Sequence, residues 1–159
     1  MTDKRTQLFK SQRASVISTS RAVTEVVSKR MRAVRVSGTE PELRVRKIAN
    51  MVGLRYRRNV RSVAGKPDLA NKKNKWAVFV HGCFWHGHAC KRGRFPKTNA
   101  GFWKDKVRSN RKRDKTVTRL LRDKGFRVLT IWQCELDDEA NVAARLSALV
   151  LAAQARAGK

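Results

Sequence analysis

All three histidines of this 159-residue chain, and two of its three cysteines, lie in ten consecutive residues, HGCFWHGHAC (81–90). An apolar run, KWAVFVHG (75–82), leads directly into this decamer, and a second apolar run, FRVLTIWQC (126–134), ends at the third cysteine, Cys134. Both runs are apolar on both faces, which is typical of central strands of a sheet covered on two sides. If the two strands are neighbours, Cys134 reaches the decamer at the end of the sheet. A fold in which these two strand ends meet would gather all three cysteines.

Turn and periodicity signals place the other elements around these two strands. Thr39 is expected to cap a first helix that has Pro41 in its first turn and Gly53 as its stop. The apolar stripe of that helix is expected to consist of Leu43, Ile48, Met51 and Leu54. The remaining predicted elements are an extended segment over 56–61, a turn beside a strand over 64–70, and helices over 100–124 and about 138–157. The order α-β-β-β-α-β-α predicts an α/β fold with helices around a mixed sheet.

The charge balance indicates a polyanionic partner. The chain carries 38 Lys+Arg against 12 Asp+Glu, a formal net charge of +26. Such a charge destabilises the compact state by self-repulsion unless a polyanion shares it, and nucleic acid is the usual one, ahead of a membrane surface. No apolar run reaches the ~18 residues of a bilayer span, and the N-terminus lacks the apolar core of a signal peptide, so we expect a cytoplasmic protein. Residues 1–27 are expected to form a flexible basic arm, and residues 28–159 a single domain.

The cysteines and one histidine have the composition of a structural zinc site. Zinc in such sites takes four nitrogen or sulfur ligands in a tetrahedron. Cys83, His88 and Cys90 can come from one loop, and Cys134 completes a Cys3His set. An odd number of cysteines argues against a disulfide framework. The alternative is that the cysteines are small buried apolar residues.

Asp68 is the single carboxylate between Glu42 and Asp105, in the segment GKPDLA. A proline–aspartate pair followed by a strand is how restriction-type nucleases begin their metal site, and a Mg²⁺-dependent phosphodiesterase needs a carboxylate at its phosphate. Those nucleases continue with an acid and a lysine on the next strand, where this chain carries His81. His81 and His86 lie at the mouth of that strand, a common place for catalytic groups in α/β proteins. The alternative for Asp68 is a turn residue, and for the histidines an ordinary packed residue.

The segments GKPDLA, AVFVHGCFWHGHAC, FPKTNAGFWKDKVRSNRKRDKTVTRLL and GFRVLTIWQCEL together resemble the very-short-patch repair (Vsr) DNA mismatch endonucleases. The resemblance runs from about Ser28 to about Leu136. It implies a restriction-endonuclease-like fold with a structural zinc site. It also implies Mg²⁺-dependent nicking of duplex DNA on the 5′ side of the thymine in a T:G mismatch, which arises when 5-methylcytosine deaminates. Gly87 and Ala89 depart from the family, because some relatives have histidine at these positions.

The resemblance assigns roles to particular side chains. It implies that Asp68 and the main-chain carbonyl of Val80 bind Mg²⁺, and that His81 and His86 move protons around the scissile phosphate. Asp114 and Glu42 match two further acidic positions near the site. The zinc ligands would be Cys83, His88, Cys90 and Cys134, and the aromatics that wedge into the duplex would be Phe84, Trp85 and Trp103. Core packing is the expected role of Trp76, Trp132 and Phe102.

The resemblance further implies a monomer that acts at the bacterial nucleoid, with mismatch-repair proteins and a DNA polymerase as partners. Two other functions fit the residues. One is a related restriction-type nuclease of different specificity, and the other is a non-catalytic, zinc-stabilised DNA-binding module.

Overall fold

A four-stranded mixed sheet organises residues 37–157, the part of the chain that this computed structural model describes. From Gly38 onward the chain forms one compact unit. The arm expected over residues 1–27 and the domain boundary at residue 28 lie outside the described residues and stay predictions. The elements are α1 (Glu40–Met51), β1 (Arg57–Arg58), β2 (Leu69–Asn71), β3 (Trp76–His81), α2 (Cys83–His86), α3 (Ala100–Asp123), β4 (Arg127–Trp132) and α4 (Glu139–Ala157), with 3-10 turns at Lys91–Gly93 and Gln133–Asp137.

The strands lie in the order β1-β2-β3-β4. β1 and β2 pair antiparallel, as do β2 and β3, whereas β3 and β4 pair parallel. The parallel register places His81 opposite Trp132, so the two strands end side by side. The segments that follow them, the decamer and the Cys134 turn, therefore leave the sheet at the same edge, as the sequence predicts.

Each face of the sheet has its own apolar core. Trp76 and Val78 of β3 join the core that α1 and α4 cover, while Ala77 between them joins the core that α3 covers through Leu121. This alternation is the period-2 pattern of a strand buried on both faces. Helices on both faces of a mixed sheet confirm the predicted α/β fold.

Several side chains lie elsewhere than the sequence predicts. Leu43 and Met51 of α1 are exposed, because the buried face of this helix consists of Val45, Ile48 and Ala49. Phe102 was expected in the core but is 51% exposed, since it lies in the first turn of α3, outside both apolar cores.

The start of α1 also differs in detail from the prediction. Thr39 is the N-cap, but its side chain makes no cap hydrogen bond. Its hydroxyl instead donates to Glu42 (2.9 Å), and the main-chain N–H of Gly38 donates to the other oxygen of the same carboxylate (2.9 Å). Glu42 is thereby fixed at the helix N-terminus, where a negative charge is stabilised. Within residues 37–157, no helix combines the length and the apolar character that a bilayer crossing requires.

Candidate active site

His81 and His86 form a stacked pair at the end of β3. Their ring centroids are 3.8 Å apart and their planes differ by 9°. Asp114, on α3, lies 2.5 Å from Nδ1 of His86, and the ligand atoms of these three residues all lie within 4.8 Å of one another. Burial is the main cause that lowers the pKa of His81 to about 4, and the neighbouring His86 adds to this effect. The imidazole of His81 is therefore neutral at pH 7.

Asp114 is held in its charged form by the histidine that it contacts. Burial acts to raise its pKa, but the hydrogen bond to His86 and the charge of that imidazole outweigh burial and leave the pKa below its usual value. A carboxylate on Nδ1 fixes the orientation of the ring and leaves Nε2 free to exchange a proton. The pair therefore has the arrangement of an oriented acid–base group.

α3 also holds the main chain around His86, through two residues that the sequence analysis missed. The side chain of Asn110 donates to the carbonyl of Trp85 (2.8 Å). Arg111 donates from Nε to the carbonyl of His86 (2.9 Å) and from a terminal nitrogen to the carbonyl of Gly87. The spacing of Asn110, Arg111 and Asp114 on one helix face is a signal that could have identified them as a group.

Asp68 immediately precedes β2, and its carboxylate accepts a hydrogen bond from the main-chain N–H of Val80 (2.7 Å). Burial raises the pKa of Asp68 to about 6, and the charge of Glu42 contributes to the rise. Glu42 is itself buried and pairs with Arg46 (3.1 Å). A buried carboxylate with a second one nearby is a local excess of negative charge, which a divalent cation would neutralise.

The second cluster consists of the thiols of Cys83, Cys90 and Cys134 and the imidazole of His88. Their ligand atoms all lie within 4.8 Å of one another. The imidazole of His88 lowers the pKa of Cys90 to about 6, whereas burial and the two other thiols raise the pKa of Cys134 to about 12. Three sulfurs and one nitrogen converging on one point are the donor set of a structural metal site.

Trp132 borders both clusters. It was expected to pack in the core, but its ring is half-buried, stacks on His88 at 4.4 Å, and meets His81 edge-on at 5.3 Å. The reason is its position as the last residue of β4, where its ring lines the cleft beside α3 and does not pack in either core. Trp132 is a further site residue that the sequence analysis missed.

Gly93, in the turn that follows the decamer, lies directly against the main chain of the decamer. A Cβ on Gly93 would lie 1.9 Å from the carbonyl oxygen of His88.

Four residues of the decamer form a single helical turn, α2, which ends at Gly87 in the left-handed conformation (φ 63°). The sequence analysis treated this segment as a loop, because four residues are too few for a helical period.

Gly93→Ala is expected to destabilise the protein by at least about 3 kcal/mol, since the added methyl group meets main-chain atoms that cannot rotate away. Gly101→Ala is the matched control. It lies in the first turn of α3 with nothing within 4 Å of its Cβ position, and should be neutral or slightly stabilising. Urea denaturation of both variants measures the difference, and equal stabilities would contradict the close approach at Gly93.

Phe84, Trp85 and Trp103 form a half-buried aromatic cluster beside the histidines. The ring centroid of Phe84 lies 5.1 Å from that of Trp85 and 5.0 Å from that of Trp103, both edge to face. The exposed ring of Phe102 extends this cluster, 5.1 Å from Trp103. Large apolar rings thus lie at the surface, next to polar groups and away from both cores.

A cleft of about 740 Å³ opens over the histidine pair. One side carries His81, His86 and Trp132, and the other is the cationic face of α3. Its cationic side chains are Arg111, Lys115, Arg119 and Arg122. An acid–base pair in a cationic cleft is suited to a phosphodiester substrate.

The fold and this cleft define a class of protein, a nuclease with a restriction-endonuclease-like fold. The catalytic domain of the homing endonuclease I-Bth0305I has a similar structure, with a TM-score of 0.50 and 24% identity over 73% of this chain and 98% of that domain. The family profile described as "DNA mismatch endonuclease Vsr" matches residues 20–92. The type II nicking enzyme V.NmeAIP of Neisseria meningitidis is 45% identical over 112 residues, 70% of this chain and 80% of that enzyme.

The DNA mismatch endonuclease Vsr of Escherichia coli is 37% identical over 109 residues, 69% of this chain and 70% of that protein. The chain belongs to the Vsr family of DNA mismatch endonucleases. This confirms the resemblance seen in the sequence, and it makes the protein a DNA-nicking endonuclease. Divalent metal use follows from the family, and the Cys3His cluster is a possible site for a second metal.

Proposed function

We propose that this endonuclease nicks the thymine-bearing strand on the 5′ side of a T:G mismatch and depends on Mg²⁺. The observation that carries the proposal is that two groups meet at the end of β3: Asp68, which accepts a hydrogen bond from Val80, and the cluster of His81, His86 and Asp114. The names of the relatives support it, because one is called a mismatch endonuclease and others are called nicking enzymes.

Asp68 and the main-chain carbonyl of Val80 would hold Mg²⁺. In an extended strand the N–H and C=O of one residue point to the same side. The N–H of Val80 contacts the Asp68 carboxylate, so its carbonyl is directed to that side as well. A cation bound there would withdraw charge from the phosphate oxygens and stabilise the leaving 3′ oxygen. Glu42 would support the site by adding negative charge next to Asp68.

His81 and His86 would move the protons of the reaction. A neutral imidazole takes a proton from the attacking water, the new bond forms from water oxygen to phosphorus, and the bond from phosphorus to the 3′ oxygen breaks. The products are a 5′-phosphate and a 3′-oxygen that takes a proton from solvent. Asp114 would orient His86 through Nδ1 and stabilise its protonated form.

Asp114→Asn is expected to lower the nicking rate constant by about 10²-fold, because an amide cannot stabilise the imidazolium. Single-turnover nicking from pH 5 to 9 measures the loss. Asp105→Asn is the control, since that carboxylate lies on the same helix and pairs with Arg108 at the surface. A rate for Asp114→Asn within twofold of this control would rule out the proposed role.

Zinc would be the ion in the Cys3His cluster. Soft thiolates with one imidazole suit Zn²⁺, and a closed set of four leaves no position for substrate, so the role is structural. Cys83 and His88 come from the decamer while Cys134 follows β4. An ion there would tie the catalytic loop to the sheet.

Phe84, Trp85 and Trp103 would enter the duplex beside the mismatch. A mismatched step unstacks at a lower cost than a paired step, so intercalating rings favour the target. The carbonyl of Trp85 and Nδ1 of His86 are both held by α3, so ring insertion and histidine placement share one support. We propose that the enzyme acts as a monomer at the nucleoid, and that mismatch-repair proteins and a DNA polymerase complete the repair.

Product analysis on end-labelled duplexes tests the function. A nick 5′ of the mismatched thymine that requires Mg²⁺ is expected. Equal cleavage of paired duplexes would indicate a restriction-type nuclease of other specificity. Tight binding without cleavage in any divalent metal would indicate a non-catalytic module.

A further inference from the structure

We infer that the outer edge of the sheet is a second DNA-backbone contact surface, separate from the catalytic cleft. This edge surface consists of the segment Arg55–Arg58 around β1 and of Lys72 and Lys73 in the turn between β2 and β3. The inference rests on action on DNA, which family membership establishes, and not on the choice of a T:G mismatch.

Two adjoining grooves shape this edge surface. One has a volume of about 760 Å³ and the other about 530 Å³, and both are lined by Arg55, Tyr56 and Arg57. Arg58 lines the first groove, and Lys72 and Lys73 line the second. All five cationic side chains are exposed, so their charged groups can reach a phosphate backbone.

The cations of the edge surface have no carboxylate partners within residues 37–157. Elsewhere in this part of the chain arginines do pair with carboxylates, as Arg44 does with Glu139 (2.8 Å) and Arg145 with Glu135 (2.8 Å). The carboxylate of Asp68, next to β2 in the sequence, is half-buried and accepts a hydrogen bond from Val80. Unpaired cations side by side repel one another, and a polyanion that binds across them removes this cost.

The edge surface begins beside the catalytic carboxylate and leads away from it. Arg58 is the register partner of Leu69, the residue after Asp68. Lys72 and Lys73 precede β3, whereas His81 is the last of its six residues. At about 3.3 Å per residue, this separates the two ends of β3 by roughly 17 Å, about five base pairs of duplex.

The number of cations argues against edge protection as their whole role. Charged residues on an edge strand prevent pairing with another chain. Here five cations line two grooves, and Lys72 and Lys73 are outside the edge strand. A duplex backbone, with its regular phosphates, is the partner that such a row of exposed charges fits.

The test is the salt dependence of binding to fully paired duplex DNA, measured by fluorescence anisotropy without cleavage. The variant Arg55→Gln/Lys72→Gln/Lys73→Gln removes three charges, and the matched control Arg55→Lys/Lys72→Arg/Lys73→Arg retains them. On a 30-base-pair duplex, the glutamine variant should reduce the slope of log K against log salt by about 2–3 and weaken binding about 10²-fold at 0.15 M salt. The control should keep the wild-type slope.

Single-turnover nicking at saturating enzyme should be unchanged in the glutamine variant, because none of the three residues belongs to the catalytic cleft. The single substitution Lys73→Gln should reduce the slope of log K against log salt by about 0.9. It replaces the triple variant in the test if the triple variant folds poorly. A wild-type slope in the glutamine variants would overturn the inference, as would an equal loss in the charge-retaining control. Since this assay needs neither a mismatch nor Mg²⁺, its failure is distinguishable from failure of the proposed function.

Discussion

Asp68→Asn will abolish nicking and, in metal-free protein at pH 8, make the fold more stable. The activity loss is expected to reach about 10³-fold or more, because the metal ion that we propose Asp68 binds would contribute several kcal/mol to transition-state stabilisation. The gain in stability has a separate cause. The buried carboxylate carries an unfavourable charge that an amide does not, and the amide oxygen can still accept the hydrogen bond from Val80.

The sign follows from the pKa of Asp68, which folding raises from 3.8 to about 6. The folded state therefore holds this proton more tightly than the unfolded state. The resulting stabilisation is complete below pH 3.8 and is lost as pH rises through 6. This difference in pKa corresponds to at most about 3 kcal/mol of folding stability, which the wild type has lost at pH 8 and the asparagine variant has not.

Thermal unfolding in EDTA at pH 5 and pH 8 measures the stability change, and single-turnover assays in Mg²⁺ measure activity. Asp105→Asn, an exposed change on α3, should leave both unchanged. Adding Mg²⁺ should raise the melting temperature of the wild type but not that of Asp68→Asn. An asparagine variant that nicks at the wild-type rate, or that melts below the wild type at pH 8 without metal, would refute the account of Asp68.

Cys134→Ser will release the zinc proposed for the Cys3His cluster and destabilise the protein by at least about 3 kcal/mol, or roughly 10 °C in melting temperature. Cys134 is the one ligand of the set that does not come from residues 81–90, so its loss frees the loop from the end of β4. His86, one of the two histidines proposed to be catalytic, lies in the same loop, and His81 ends the strand that leads into it. Nicking should therefore fall with metal content.

Elemental analysis should find about one zinc per wild-type chain and much less in Cys134→Ser. Ala89→Ser places the same side chain at an exposed position of the same loop and should retain the zinc. Chelation should lower the melting temperature of the wild type and of Ala89→Ser, but not that of Cys134→Ser. A wild-type protein that is stable and free of zinc would contradict the structural role of the ion.

The sequence predicts the central strands well because both are short, apolar on both faces and bounded by polar or glycine residues. β3 and β4 lie within the predicted runs, and their parallel pairing brings Cys134 to the decamer. The helices over 100–124 and 138–157 are also confirmed to within a residue or two. These features depend on local hydrophobic patterning, which a single sequence displays.

The parts that the sequence could not predict depend on tertiary contacts. The apolar stripe predicted for α1 includes Leu43 and Met51, which are exposed. The position of the sheet decides which face of the helix is buried, and that face carries Val45 and Ala49. Arg111 donates a hydrogen bond to the main-chain carbonyl of His86. Because every residue has such a carbonyl, nothing in the sequence marks His86 as the partner of Arg111. The roles of Asp114 and Glu42 were indicated by the family resemblance and not by their spacing.

The most direct test uses two end-labelled duplexes that differ by T:G against C:G at one position, incubated with the protein and Mg²⁺. The expected result is a single nick 5′ of the mismatched thymine, absent from the C:G duplex, from reactions with EDTA and from Asp68→Asn. Equal nicking of both duplexes, or nicking of the guanine-bearing strand, would contradict the proposed mismatch specificity.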